Sequence, residues 1–499
     1  MDLDDVTYSS LFEHEHTNTI SLKDKNFYKD IYLYYIKGGF YNIIVGDIIE
    51  IIRLIFSIIF ILGTFLFLDW KNIILCGKIY DKNDKNIKDC GDISDYLRIE
   101  NILLPDFFQL LILSFVTGII LYLFYKFIYL YFEWTKFYNI DRYYVNTLSI
   151  PRNYLHSKSW EDIILLVSKH NNISFDDITN IILKKENFFI SFIDSNIFQV
   201  SNTSFTKQLE YNLYHCFDPS SIINKDAKYI RKKFLYLSAL NIVFSPFIMM
   251  CTISSFIFSN IDELYINKKV LGPRRYTPYF KWKIRQYNEL EHYFQDRINM
   301  SIKYANEYTQ QFPSIMIENI SKFIAFISGA FIFLFLVFSI FDENILLYVK
   351  FMDRSLIFYT GVIGSISAIA RGFIKDPENS IYDPNKTMEK ISKYTLYLPS
   401  SWKDNANNMV IRNEFLSFFN YILVIFFYEV VGIIRTPYIL FLLSKESKNI
   451  ENFIRHNIIY KNNIGSICIS ADFKNKSNAS EKLSLSISSF SDTYKSWNN

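Results

Sequence analysis

Six long apolar runs, set apart by polar loops rich in Asn, Lys and Asp, give the chain its organisation. They cover 43–68, 107–132, 234–258, 323–341, 355–374 and 415–443, lengths that fit helices at membrane depth better than core strands. Between them, WEDIILLV (160–167) and DDITNIIL (176–183) show helical apolar spacing within an otherwise soluble stretch.

The runs differ in their polar interruptions. The first carries Asp47, Glu50 and Arg53 at three-residue spacing, one stripe of a helix. The residues left after Arg53 reach roughly 22 Å, short of a hydrocarbon core of about 30 Å, so Glu50 and Arg53 fall at membrane depth unless they snorkel. Two readings stay open: an intrahelical Glu50–Arg53 pair near the interface, or the lining of a polar cavity. In the second run Lys126 is expected to snorkel to the far interface. The third has Asn241, Ser245 and Pro246 near its middle, the fourth is free of charge, and the fifth shows a small-residue face (Gly361, Gly364, Ser365, Ala368) and ends at Arg371. Glu429, Gly432, Arg435 and Pro437 divide the sixth into pieces of roughly 14 and 11 residues, each too short to cross alone.

Two topologies keep both termini on one side: six spans, or four spans with the third and sixth runs folded into re-entrant hairpins. The segment 268–304 bears on the choice. It holds Lys268, Lys269, Arg274, Arg275, Lys281, Lys283, Arg285, Arg297 and Lys303 against Glu289, Glu291 and Asp296. The positive-inside tendency places it in the cytosol and favours four spans, with the breaks in runs three and six where a re-entrant turn needs them.

Composition adds little to this and excludes much. A net charge of +3 over 499 residues does not suggest a nucleic-acid partner; the basic residues lie in loops beside apolar runs, where the partner is a membrane. Residues 1–30 show no signal-peptide pattern, so the first run directs insertion. Of five cysteines, Cys76 and Cys90 share the polar loop 69–106; they could pair if that loop is lumenal and would be free thiols if it is cytosolic. No phosphate loop, zinc pair, nucleophile elbow or dinucleotide fingerprint occurs, and no cofactor or metal is expected. His14–Glu15–His16 and His215–Cys216 are chance clusters. In NELEHYFQD the acids Glu289, Glu291 and Asp296 are read as the solvated face of an amphipathic helix whose apolar stripe is Tyr287, Leu290, Phe294 and Ile298. After Lys474 the Ser/Asn-rich end is expected to be disordered.

Six blocks then carry a resemblance: YYIKGGFYNIIVGDIIEIIRLIF (34–56), FYNIDRYYVNTLSIP with SWEDI (137–151, 159–163), YNELEHYFQDRIN with KYANEY (287–299, 303–308), FDENIL (341–346), ARGFI (370–374), and LPSSWKDNANN with NEF (398–408, 413–415). In this order, among these runs, they resemble the autophagy-related protein 9 family over nearly the whole chain. The resemblance implies an all-α polytopic membrane protein with four transmembrane helices and two re-entrant membrane-embedded segments per protomer, assembled as a domain-swapped homotrimer with both termini cytosolic.

The organisation expected is a cytosolic segment 1–42, two transmembrane helices in 43–133 around the lumenal loop 69–106, and a cytosolic helical region 134–233. A re-entrant segment 234–258 and a basic cytosolic region 259–322 follow. Transmembrane helices three and four occupy 323–374 around a short lumenal turn 342–354. Then come a cytosolic region 375–414, a re-entrant segment 415–443, and the C-terminal cytosolic region and tail 444–499.

The function implied is ATP-independent phospholipid scrambling, without covalent chemistry, on Golgi- or endosome-derived vesicles and the phagophore membrane. The implied partners are phospholipids and a lipid-transfer protein of the autophagy-related protein 2 type. Asp47, Glu50, Arg53, Asn241, Glu429 and Arg435 are candidates to line a hydrated lipid path, with Arg371 touching phosphate at its cytosolic mouth. Each could equally belong to an internal salt bridge that holds the bundle together. The competing functions are an ion channel or secondary transporter, for which charged broken helices are also expected, and a non-catalytic scaffold for autophagy proteins.

Overall fold

In a computed structural model the described residues are 25–73, 96–97, 107–223, 225–266, 273–312, 315–341, 343–352, 354–372, 374, 382–461, 464–474 and 480–495. Cys76, Cys90 and most of the loop 69–106 lie outside them. The chain forms two compact units, Met1–Ile182 and Leu183–Asn499.

In the first unit, α1 (Lys25–Ile36) and α2 (Phe40–Ile61) are separated by Gly38 and Gly39, both at positive φ. A Cβ on Gly38 would press on Asn42 and His156, so both the backbone angle and the space call for glycine. α2 runs on through a π-helical turn, Leu62–Phe67. α3 (Phe107–Arg142) is 36 residues long, about ten more than its apolar run. α4 (Trp160–Asn171) starts on a capping box between Ser159 and Asp162 and ends with Asn172 in the left-handed region; α5 (Phe175–Ile182) follows. Tyr34, Phe137, Tyr144, Trp160 and Ile163 form the soluble core. Beyond it α2 and α3 pair with apolar side chains turned outward, Ile52, Ile59, Phe124 and Ile128 among them, each more than half exposed. Helices of this length with such a surface are built for lipid.

The second unit contains α6 (Lys184–Asp194), α7 (Lys207–Tyr211), α8 (Ala227–Ile266), β1 (Arg274–Tyr276), α9 (Pro278–Ile284) and α10 (Glu291–Gln310). It continues with α11 (Ile315–Phe341), α12 (Glu343–Tyr348), the hairpin β2 (Lys350–Phe351) and β3 (Arg354–Ser355), and α13 (Leu356–Gly372). α14 (Pro384–Thr395), α15 (Met409–Phe418), β4 (Phe419–Tyr421), α16 (Ile422–Lys445) and α17 (Ser447–His456) precede a second hairpin, β5 (Ile458–Lys461) and β6 (Gly465–Cys468), and α18 (Glu481–Thr493). Among the described residues three short antiparallel ladders thus interrupt the all-helical expectation. One of them, β1–β4, pairs Arg274 with Tyr421 and Tyr276 with Phe419, tying the segment after α8 to the segment before α16. It seeds the core of Phe280, Tyr308, Trp402, Phe415 and Phe418.

Among the described residues five helical stretches are long and apolar enough to cross a membrane: Phe40–Phe67, Ile112–Thr147, Ala227–Asn260, Glu318–Phe341 and Ile422–Lys445. α13 is apolar but only 17 residues long. The third and sixth runs do not break as expected. α8 continues through Pro246 and α16 through Pro437. A proline removes one ladder bond, and in apolar surroundings neighbouring groups can make up for it. Here the Thr436 hydroxyl bonds the Gly432 carbonyl at 2.8 Å and Ser238 on α8 donates to the Pro437 carbonyl at 2.8 Å, polar contacts that flank the Ile433 carbonyl from which Pro437 withholds its N–H.

The end of the chain also departs from expectation. α18 is not disordered: Ser486, Phe490 and Tyr494 are buried along one stripe, and Ser486 hydrogen-bonds Gln286 and the Tyr287 N–H. The Ser-rich composition hid a helical i, i+4, i+8 pattern.

Candidate functional site

The stripe Asp47–Glu50–Arg53 divides between two surroundings. Asp47 is buried, and its Oδ2 accepts from Trp134 Nε1 at 2.9 Å. Glu50 pairs with Lys126 of α3. Lys126 therefore does not snorkel; it is buried and turned towards the carboxylate, because an ion partner across a helix interface offsets desolvation that water at the interface would otherwise have to relieve. Arg53 is exposed on the apolar side of the stripe. The same antiparallel pairing continues through Lys37–Glu133 at 3.5 Å and Lys136–Asp30 at 2.9 Å. Sequence reading missed Trp134 and Lys126 as partners; a lysine inside an apolar run was the available signal.

In the second unit the polar residues of the interrupted runs meet α7. Thr206 caps α7, and the N–H of Lys207 in its first turn donates to Glu429 Oε2 at 2.8 Å. Asn241 exchanges hydrogen bonds with Asn212, at 2.8 and 3.2 Å, and accepts from Gln208 at 2.7 Å. Glu429 and Asn241 are both buried. Gly432 lies so close to Thr206 that a Cβ there would collide with it. Arg435 and Arg371 are exposed, the latter in the last turn of α13, where a cation suits the helix dipole. The structure thus joins Glu429 and Asn241 to one soluble helix, and leaves Arg435 and Arg371 on the surface.

The flanks of α8 and α16 share one body. Ahead of α8, Glu210 accepts from Trp282 Nε1, and Asn202 Oδ1 accepts from Thr277, both donors lying after α8. Asn202 also bonds the Ser417 carbonyl, just before α16. After α16, Glu451 accepts from the Ala227 N–H at the start of α8, at 2.8 Å. Phe256 stacks on Phe426, with ring centroids 3.9 Å apart. The segments flanking both helices are therefore tied to the same soluble assembly.

Among the described residues no group of three or more His, Cys, Asp or Glu assembles as a metal site. In the NELEH stretch, burial depresses His292 to about 4, partly countered by Asp296 and Glu291. The helix starts at Glu291 because Asn288 takes a left-handed backbone; its amide bridges Asn187 and the Ala471 carbonyl. Glu289 is not solvated: it forms a paired salt bridge with Arg297 at 2.7 Å.

Comparison with known proteins settles the lineage. The profile of the family described as "Autophagy protein ATG9" matches residues 19–474. The chain belongs to the ATG9 family. It is 30% identical over 481 residues to autophagy-related protein 9 of Dictyostelium discoideum, covering 90% of this chain and 66% of that protein. It is 28% identical over 516 residues to autophagy-related protein 9 of Saccharomyces cerevisiae, covering 92% and 50%. The chain thus spans between half and two thirds of the length of these relatives. The cryo-EM structure of Schizosaccharomyces pombe Atg9 superimposes with a TM-score of 0.63 at 25% identity, over 91% of this chain and 99% of that one. This ATG9-family chain is accordingly a mostly helical membrane protein of the autophagy machinery. Its family blocks have structural duties: GG turns α1 into α2, SWED caps α4, NELEH docks α10, and Trp402 of LPSSW donates to Glu414 of NEF at 2.9 Å.

Proposed function

We propose that this chain is an ATP-independent phospholipid scramblase of autophagic vesicles and the phagophore, equilibrating leaflets as a lipid-transfer protein of the autophagy-related protein 2 type supplies lipid. The reading has four spans per protomer, α2, α3, α11 and α13, with the 342–354 turn and the 69–106 loop lumenal, and a domain-swapped homotrimer. α8 and α16 enter the membrane without crossing it. What supports that topology is the hydrogen bonding between the segments that flank each helix, within one soluble body, which the flanks of a crossing helix could not achieve.

Scrambling needs polar groups at membrane depth beside apolar surface, so that a headgroup crosses while its tails stay in hydrocarbon. The observation that carries the reading is the stripe on α2: Asp47 and Glu50 are turned to partners on α3 while Arg53 is exposed among outward-facing Ile52, Ile55 and Phe56. In this proposal Glu50, Arg53, Arg371 and Arg435 touch headgroups, and Glu429 and Asn241 hold the embedded helix pair. The test is dithionite quenching of fluorescent lipids in proteoliposomes. Joint neutralisation of Glu50, Arg53, Arg371 and Arg435, with an unchanged size-exclusion profile, is expected to slow scrambling about tenfold or more. Unchanged scrambling removes the proposal, and ion flux without lipid translocation replaces it with the channel reading.

A further inference from the structure

On α3 three tyrosines share one helical stripe beside the Glu50–Lys126 pair: Tyr122, Tyr125 and Tyr129, at i, i+3 and i+7. They are 50%, 62% and 48% exposed. Consecutive ring centroids lie 6.4 and 6.2 Å apart, the second pair stacked, so the three rings form a continuous row. Among the described residues none of their hydroxyls has a hydrogen-bond partner. Four and seven residues beyond Tyr129, Glu133 and Lys136 continue the stripe into the soluble fold, where they meet Lys37 and Asp30. Trp134, whose indole bonds Asp47, marks the membrane–water boundary on this helix pair. At 1.5 Å per residue Tyr129, Tyr125 and Tyr122 lie about 7, 13 and 18 Å inside that level. In a hydrocarbon core of about 30 Å the row thus runs from just within the boundary to the middle of the bilayer.

Anchoring at the interface suits Tyr131, three residues from Trp134 and on another face, but not tyrosines at the depth of Tyr122 and Tyr125. A phenol facing hydrocarbon is costly unless its O–H finds an acceptor. The row is continuous with the outward apolar surface of Leu121, Phe124 and Ile128, so what passes it is lipid, and the acceptors a lipid carries are phosphate and ester oxygens. We propose that Tyr122, Tyr125 and Tyr129 form a hydroxyl ladder that hydrogen-bonds the phosphate and ester oxygens of a phospholipid as its headgroup crosses this half of the bilayer. The hydroxyls follow one another at intervals of about 5 Å, so a headgroup stripped of water passes from one donor to the next. Oxygen acceptors common to all phospholipids are what the ladder reads, so it does not select among their headgroups. The ladder rests on the scramblase reading above and adds residues which that reading does not contain.

The experiment measures dithionite quenching of fluorescent phosphatidylcholine in proteoliposomes for Y122F/Y125F/Y129F, which keeps the rings and their packing and removes only the hydroxyls. The triple variant should scramble about tenfold more slowly than the unsubstituted chain, the scale of one net hydrogen bond lost at the barrier. Y125F alone, at the centre of the row, should be slower by about two- to threefold, and it decides the matter where the triple variant loses its size-exclusion profile. Y131F, exposed on another face, should keep the unsubstituted rate. Tyrosine-to-phenylalanine variants of the row as fast as the unsubstituted chain, or Y131F slowed as much as Y125F, overturn the ladder and leave the scramblase reading standing. An unsubstituted chain that does not scramble removes both. In the same vesicles Tyr125→benzoylphenylalanine should photocrosslink to phospholipid; crosslinks solely to a second copy of the chain mean that protein covers the row, and overturn the ladder alone.

Discussion

Glu429 Oε2, a third of the way along an apolar helix, accepts its hydrogen bond from the backbone N–H of Lys207, in the first turn of α7. First-turn N–H groups have no partner in their own helix, so a carboxylate brought in from α16 satisfies one of them. Glu429→Ala should leave that part-buried donor without its partner and cost about 1–2 kcal/mol, whereas Glu429→Gln keeps an acceptor and should cost less. Thermal unfolding of the purified chain in detergent ranks the two; equal losses would mean that the charge and not the hydrogen bond matters.

One turn further on, Gly432 lets α16 lie directly against Thr206. Gly432→Ala should therefore be destabilising by about 1–3 kcal/mol through overpacking, against the usual gain of replacing a helical glycine. The pair Gly432→Ala with Thr206→Ser, which removes the Cγ2 that Ala would strike, should recover part of the loss in the same unfolding measurement. No recovery would place the strain elsewhere.

These contacts mark what the chain disclosed and what it withheld. The apolar runs and the helices at 160–167 and 176–183 follow from local periodicity, a property any window of sequence contains. The helices run on through Pro246 and Pro437 because a proline's effect depends on what packs around it, and Ser238, which bonds the Pro437 carbonyl, lies 199 positions away. Glu50 is legible as a charge at depth and Asp47 as its neighbour on one stripe, but their partners Lys126 and Trp134 sit on another helix, beyond the reach of spacing rules. Serine-rich composition concealed α18, whose docking depends on Gln286 and Tyr287.

The Glu50–Lys126 pair makes a specific energetic claim against the intrahelical alternative. A double-mutant cycle of Glu50→Gln with Lys126→Met should show a coupling of about 0.5–1.5 kcal/mol, the range of polar contacts between membrane helices. The same cycle with Arg53→Gln should show coupling near zero. Unfolding by denaturing detergent reads both, and the reverse ranking would restore the Glu50–Arg53 pair.

His292 gives the fold an acid sensitivity of known sign. Burial lowers its folded value to about 4, below the ~6.5 of an unfolded histidine. Between these values the unfolded chain binds a proton that the folded chain does not, so stability rises with pH across this window and is lost as pH falls towards 4. Above about 6.5 both forms are neutral and the contribution vanishes. His292→Gln should flatten the pH dependence of Tm between 4 and 6.5. A histidine carbon resonance absent from His292→Gln and titrating near 6.5 would refute the assignment.

The docked C-terminal helix is best tested locally, since its loss need not unfold the rest. Phe490 is buried between Phe473, at 5.3 Å between ring centroids, and Tyr494, at 4.6 Å. Phe490→Ala removes a large core side chain, a change that costs about 3–5 kcal/mol where the site cannot collapse. That exceeds what a 13-residue helix gains alone, because isolated helices of this length are marginal in water. Hydrogen exchange should therefore speed up across Glu481–Thr493 and at Tyr287, whose N–H donates to Ser486, while α11 and α13 keep their rates. Leu485→Ala, on the exposed face of the same helix, should leave all of these rates unchanged. Equal acceleration by both substitutions would mean that the helix is held by its polar contacts and not by the Phe490 stripe.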